Sequence, residues 1–207
     1  MTAPVQPFIY LASKSPRRGQ LLDQLGVTHR PLLAADDEDA EALEAERHGE
    51  TPDAYVRRVT LAKLVAARQR LTARQLSPAP VLTADTVVAL GRRVLGKPAD
   101  AGEAATTLRA LSGRCHRVLT AVAISTDGDE PLLAVCESRV WFAVLTEATI
   151  ARYIASGEPF GKAGAYAVQG RIAACIRRID GSYTGIMGLP LYETRQLLAQ
   201  AHLQLDL

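Results

Sequence analysis

Strand and helix signals alternate along this 207-residue chain, the order expected of an α/β protein. Three stretches carry that expectation. The first is a strand, a tight turn and a helix over residues 8–26. The second is an apolar, β-branched run over 81–90 that reads as a central strand. The third is a pair of β-rich arms, 117–125 and 132–145, joined through Thr126-Asp127-Gly128-Asp129, a hairpin signal.

The elements follow in order. Phe8-Ile9-Tyr10-Leu11 is an apolar run that reads as a buried strand. Ser15 before Pro16 pairs an N-cap residue with a proline at the first helical position. Leu21, Leu22 and Leu25 give that helix an apolar face, and Gly26 ends it. Residues 30–34 read as a short second strand. Thr51-Pro52-Asp53 opens a long helix over 52–71 by the same capping logic, with Tyr55, Val59, Ala62 and Ala66 at helical spacing. Lys63 shares that stripe and either snorkels or points into a cleft. Ser77-Pro78-Ala79-Pro80 is a turn before the central strand. Gly91-Arg92-Arg93 then turns the chain back, so that 94–98 returns antiparallel and brings Lys97 near Asp85 or to a rim. Helices are expected over 100–111 and 146–155, the latter ended by Gly157-Glu158-Pro159. Trp141-Phe142 is assigned to the core. A glycine-rich turn over 161–170 leads into a strand over 172–179, Asp180-Gly181-Ser182-Tyr183 is a turn, and a last helix spans 190–201 with Leu191, Thr194, Leu197 and Leu198 inward. With no internal repeats, the whole of 1–207 reads as one domain.

Composition narrows the function. A formal net charge of +2 does not suit a bulk nucleic-acid binder. No apolar run approaches the roughly 20 residues of a membrane span. The start, MTAPVQPFIY, lacks a basic region followed by an apolar core, so no signal peptide is expected. Cys115, Cys136 and Cys175 are odd in number and far apart. They read as reduced core thiols, and the four scattered histidines show no metal spacing. The expectation is a cytosolic protein without nucleic-acid or membrane partners.

Three stretches carry chemistry. The turn before the first helix gathers Ser13, Lys14, Ser15, Arg17 and Arg18 at a helix N-terminus, where unpaired N–H groups and a positive dipole end favour a polyanion such as a phosphate chain. A solvated basic turn is the bland alternative, and no Walker loop is present. Asp85 interrupts the central strand with a carboxylate that is expensive unless paired or coordinated. Asp36, Asp37, Glu38 and Asp39 end the second strand and can hold a hard divalent cation; taken alone they read first as an acidic loop and a solvated helix start, less so beside a basic phosphate turn. In the 161–170 turn, small residues permit close backbone approach, and the Gln169 amide can both donate and accept.

Four separated motifs resemble the Maf family of nucleoside triphosphate pyrophosphatases: Ser15-Pro16-Arg17-Arg18; Ala84-Asp85-Thr86 with Gly96-Lys97-Pro98; Lys162-Ala163-Gly164-Ala165-Tyr166 with Gln169-Gly170; and Gly188-Leu189-Pro190-Leu191. The resemblance implies an elongated mixed β-sheet flanked by helices, with two lobes around a cleft, similar to inosine triphosphate pyrophosphatases. It implies hydrolysis of a nucleoside triphosphate to the monophosphate and pyrophosphate with Mg²⁺ or Mn²⁺, and it leaves a homodimer open. Arg17, Thr86 and Gln169 match the branch that acts on dTTP and UTP. Gly161 and Gly185 depart from the aspartate and asparagine common at those positions. On this likeness, Asp85 is the general base or metal-held orienter of the attacking water, and Glu38 helps it hold the metal. Ser13, Arg17, Arg18, Lys63 and Lys97 neutralise phosphate oxygens, while Thr86 and Gln169 read the pyrimidine edge, with Arg17 shaping that pocket. The alternatives are a 7-methyl-GTP or non-canonical purine triphosphate pyrophosphatase and, in another class, a nucleotide-binding regulator of septum formation.

Overall fold

A computed structural model describes residues 8–35, 38, 42–125 and 130–203. Its elements are β1 (Ile9–Leu11), α1 (Pro16–Gln24), β2 (His29–Pro31), α2 (Pro52–Ala73), β3 (Val81–Leu90), β4 (Arg93–Leu95), α3 (Ala101–Leu111), β5 (Cys115–Ser125), β6 (Leu132–Phe142), α4 (Glu147–Ala155), β7 (Ile176–Asp180), α5 (Tyr183–Met187) and α6 (Leu191–Gln200). Local chemistry sets most of these bounds. Thr51, Asp100 and Thr146 accept from the backbone N–H groups of Ala54, Glu103 and Thr149, and so cap α2, α3 and α4. Ser15 precedes the Pro16 that begins α1, but its side chain makes no cap bond.

The strands form one mixed sheet in the order β2-β1-β3-β5-β6-β7, with β4 alongside β3. β1 runs parallel to β2 and β3; the other pairs are antiparallel. β3 is the central strand. On one edge it pairs with β5 from Val81 to Ala89. On the other edge, β1 pairs with Val81 and Leu82, and β4 pairs with Val88, Ala89 and Leu90. Between them, residues 83–87 have no strand partner on that edge among the described residues. The sheet therefore has a notch where β1 has ended and β4 has not begun.

Alternation along β3 sends its side chains to two faces. Val87 and Ala89 pack with Tyr55, Val56 and Val59 of α2. Leu82 and Ala84 pack on the opposite face with α1 and α6. Val88 packs on that same face in a separate core with α3, α4 and residues 163–172. The two cores of that face meet at the notch, which gives the fold its two lobes.

Several expectations need correction. β7 begins at Ile176, because Arg171–Cys175 is a 3₁₀ turn, anchored where the Arg171 N–H donates to Glu158 at 3.0 Å. The turn expected over 180–183 opens α5, whose cap is the Ser182 hydroxyl accepting from Gly185 N–H. Gly188 ends α5 at φ +117°, a conformation that excludes most side chains. β6 stops at Phe142. That residue is buried, whereas Trp141 is half-buried, with the Arg178 guanidinium 4.9 Å above its ring. All three cysteines are free, but only Cys136 is buried. The hairpin turn 126–129 and the acidic Asp36, Asp37 and Asp39 lie outside the described residues.

Candidate active site

The notch opens into a cleft of roughly 460 Å³. Because it cuts through the sheet, neighbouring residues of β3 with side chains on opposite faces line the same space. Asp85 faces α2 and Thr86 faces α1 and α5.

On the α2 side, Asp85 is only 8% exposed. A carboxylate so placed needs a partner, and Lys63 supplies it, donating to Asp85 Oδ1 at 2.6 Å. The Lys63 ammonium also donates to Glu44 Oε1 at 2.7 Å, and Lys97 donates to Glu44 Oε2 at 2.7 Å. Two carboxylates and two ammonium groups thus form a chain along the wall. Tyr55 steadies it by donating its hydroxyl to the Glu44 carbonyl at 2.7 Å. Burial pushes the Glu44 carboxyl up, but Lys63 and Lys97 outweigh it and hold the group below its ordinary value.

On the other side, the N-terminus of α1 and the turn before it enter the cleft with Ser13, Lys14, Arg17 and Arg18. Arg18 is held at three points: Nε donates to the Gly188 carbonyl at 2.8 Å, one terminal nitrogen to Ser13 Oγ at 3.0 Å and the other to Thr86 Oγ1 at 3.4 Å. Burial pushes the Arg18 guanidinium down from its usual value, and nearby Asp85 pushes it back up. Arg17 donates to the Met187 carbonyl at 3.4 Å. Lys162 closes this end; burial, and then the charge of Arg17, lower its ammonium below the ordinary lysine value. The remaining wall is apolar, with Val88, Val118, Val168 and Ile186. Gly164 fits against Val88 at φ +68°, where an added Cβ would meet the valine at 2.7 Å.

Of the residues singled out in the sequence, Ser13, Arg17, Arg18, Lys63, Asp85, Thr86 and Lys97 line one cleft. Lys97 reaches the chain of charges through Glu44, with half of its side chain exposed. Glu38 and Gln169 are not on the cleft wall. Both Glu38 oxygens are taken by the Arg70 guanidinium at 2.6–3.0 Å, and that pairing holds its carboxyl at about 2. Gln169 is exposed, because the tight turn in which Gly170 N–H bonds the Ala167 carbonyl directs it outward beside the buried Val168. Sequence reasoning missed Glu44, which stands among Glu41 and Glu46 in a run that reads as solvated. No local signal separates it; its partners are 19 and 53 residues away.

Among the described residues no group of three or more His, Cys, Asp or Glu side chains gathers around a point. Asp85 and Glu44 do share the Lys63 ammonium, so their oxygens lie close together. Two hard oxygen donors beside an anion cleft are what Mg²⁺ needs when substrate phosphates complete its shell. The residues present therefore fit a divalent cation held by Asp85 and Glu44, with Glu38 committed elsewhere.

An open mixed sheet, notched at its central strand and cut by a cation-lined cleft, defines an α/β protein built to hold a polyanion. A HAM1 protein from Coxiella burnetii has a similar fold, with a TM-score of 0.50 over 93% of this chain and 98% of that one at 15% identity. The chain belongs to the Maf family: the family model described as Maf-like protein matches residues 8–201. Two similar relatives are named dTTP/UTP pyrophosphatase. The protein from Ralstonia nicotianae is 60% identical over 204 residues, 99% of each chain, and that from Polaromonas sp. is 59% identical over 202 residues, 98% of this chain and 100% of its own. Among the described residues no helix is long and apolar enough to cross a membrane.

Proposed function

We propose that this chain hydrolyses dTTP and UTP to the nucleoside monophosphate and pyrophosphate. The observation that carries this reading is the 60% identity, over 99% of both chains, to a protein named dTTP/UTP pyrophosphatase. The cleft supports it with a buried carboxylate among cations, next to an apolar pocket with a few fixed polar groups.

Water attacks the α-phosphorus. Its oxygen forms the new P–O bond, its proton passes to the Asp85 carboxylate, and the bond from that phosphorus to the bridging oxygen breaks, releasing pyrophosphate. Lys63 at 2.6 Å holds Asp85 in place. Lys14, Arg17, Arg18 and Lys97 neutralise charge on the phosphate oxygens, the main source of rate in phosphoryl transfer. Ser13, fixed by Arg18, offers its hydroxyl at the helix N-terminus. A divalent cation, when bound by Asp85 and Glu44, adds positive charge to the same oxygens. The base lies along Val88, Val118 and Val168, facing Thr86. Gln169 would reach it only through movement of the 167–170 turn.

The test is pyrophosphate release from a panel of nucleoside triphosphates, with and without Mg²⁺. The expected result is Mg²⁺-dependent release fastest with dTTP and UTP. Faster turnover of 7-methyl-GTP or of purine triphosphates would replace the substrate, and binding without release would replace the enzyme.

A further inference from the structure

Thr86 is the polar side chain that β3 presents to the apolar end of the cleft. Its cross-strand partner on β5 is Thr120. The two hydroxyl oxygens are 2.9 Å apart, and Thr120 Oγ1 lies 2.7 Å from the Gly185 carbonyl oxygen. A carbonyl oxygen can only accept. The one hydrogen of Thr120 therefore goes to Gly185, and Thr86 must donate its own hydrogen to Thr120. On the cleft side Arg18, which can only donate, approaches Thr86 Oγ1 at 3.4 Å. Every hydrogen in this chain runs inward. A threonine hydroxyl ordinarily both donates and accepts, but Thr86 is left able only to accept from whatever enters the cleft.

We infer that Thr120 is a positioning residue that holds Thr86 as an acceptor, and that this acceptor meets the N–H at ring position 3 of uracil or thymine. The inference rests on the reading of this cleft as a dTTP and UTP site and predicts that the site disfavours cytosine. Uracil and thymine carry a donor at position 3, whereas cytosine carries a bare lone pair there. An acceptor facing an acceptor leaves two buried polar atoms unpaired, the arrangement by which pockets reject near-isosteres most strongly.

The readout is the ratio of kcat/KM for dTTP to that for dCTP, measured on the full chain with Mg²⁺. Thr120→Val deletes the middle oxygen of the relay and frees the Thr86 hydrogen to turn into the cleft. It is expected to lower the ratio at least about tenfold, while Thr120→Ser keeps the hydroxyl and retains the wild-type ratio. A merely weakened fold lowers both rates together and leaves the ratio alone, so an unchanged ratio in folded Thr120→Val overturns the inference. A second arm needs no variant: 3-deaza-UTP replaces the N3–H with C–H in a ring of the same outline. Its kcat/KM on the wild-type chain is expected at least about tenfold below that of UTP; equal values overturn the inference whether or not Thr120→Val folds. A wild-type chain that turns over dCTP as well as dTTP removes the relay and leaves the dTTP and UTP reading standing, whereas a chain that turns over neither dTTP nor UTP removes that reading. A strong wild-type preference that neither Thr120→Val nor 3-deaza-UTP disturbs removes the relay alone.

Discussion

Glu44 lines the cleft and Glu38 does not, and paired substitutions separate their roles. Glu44→Gln keeps the shape of the side chain and removes its charge from between Lys63 and Lys97, each 2.7 Å away. A charge-assisted hydrogen bond contributes about 1.5–3 kcal/mol. About 1.4 kcal/mol is a factor of ten in rate. Loss of one such contact, where it carries over to the transition state, lowers kcat/KM by about ten- to a hundredfold. If Glu44 also holds the cation, the Mg²⁺ concentration for half-maximal rate rises by a similar factor. Glu38→Gln weakens the Arg70 fork, which meets the cleft only through Arg70 and lies off the Asp85–Glu44 wall, and is expected to leave both quantities within about threefold, at some cost in thermal stability. The assay is steady-state pyrophosphate release at a series of Mg²⁺ concentrations, with thermal melts to show that both variants fold. The reverse pattern, a Glu38 variant crippled and a Glu44 variant unaffected, would refute the assignment of the cation to the Asp85–Glu44 wall.

Asp85→Asn preserves the outline of the side chain but cannot take a proton from water. A fall in kcat of at least about a thousandfold is expected, within the range for one general base, and the Lys63 contact is weakened as well; turnover within tenfold of wild type would remove Asp85 from the chemistry. His116 predicts how stability depends on pH. Its Nε2 lies 2.8 Å from the Tyr166 hydroxyl, its Nδ1 has no partner, and burial lowers the ring to about 4 from 6.5. Below pH 6.5 the unfolded chain takes up a proton that the folded chain refuses until about pH 4. Folding stability therefore falls as pH drops through that window, by up to about 3 kcal/mol. In urea melts at pH 7 and pH 4.5, His116→Gln should show a smaller drop than wild type; an equal drop would show that His116 is not the group responsible.

What was legible in the sequence was local. β3 has the bounds that its apolar run indicates, and the cap at Thr51 stands where short-range hydrogen bonding puts it. Asp85 could be found because a carboxylate in an apolar strand contradicts its surroundings. The rest depended on distance along the chain. Glu44 matters only through lysines on α2 and after β4, which an acidic run cannot announce. The apolar run Ile172-Ala173-Ala174-Cys175 resembles a strand until Glu158, thirteen residues before Arg171, takes the Arg171 N–H and the backbone tightens into a 3₁₀ turn. Gln169 has the right chemistry for reading a base, but a four-residue turn closed by one hydrogen bond decides which way it points.

The site owes its form to the shortness of two strands. β1 is three residues long and β4 ends opposite Val88, so the edge of β3 between them stays open. In a fully paired sheet, Asp85 and Thr86 would face separate compartments, because consecutive residues point to opposite sides. The open edge lets both reach one cleft. A single peptide unit then separates the carboxylate proposed as proton acceptor from the hydroxyl proposed to face the base, and the hydrogen bonds of β3 to β5 fix both. A one-residue slip of that register would exchange the two faces and set a carboxylate against the apolar lobe. Nine consecutive pairs, from Val81–Ser125 to Ala89–Arg117, oppose such a slip. The rigidity that the chemistry needs is thus supplied on the paired edge of the strand that leaves its other edge free for substrate.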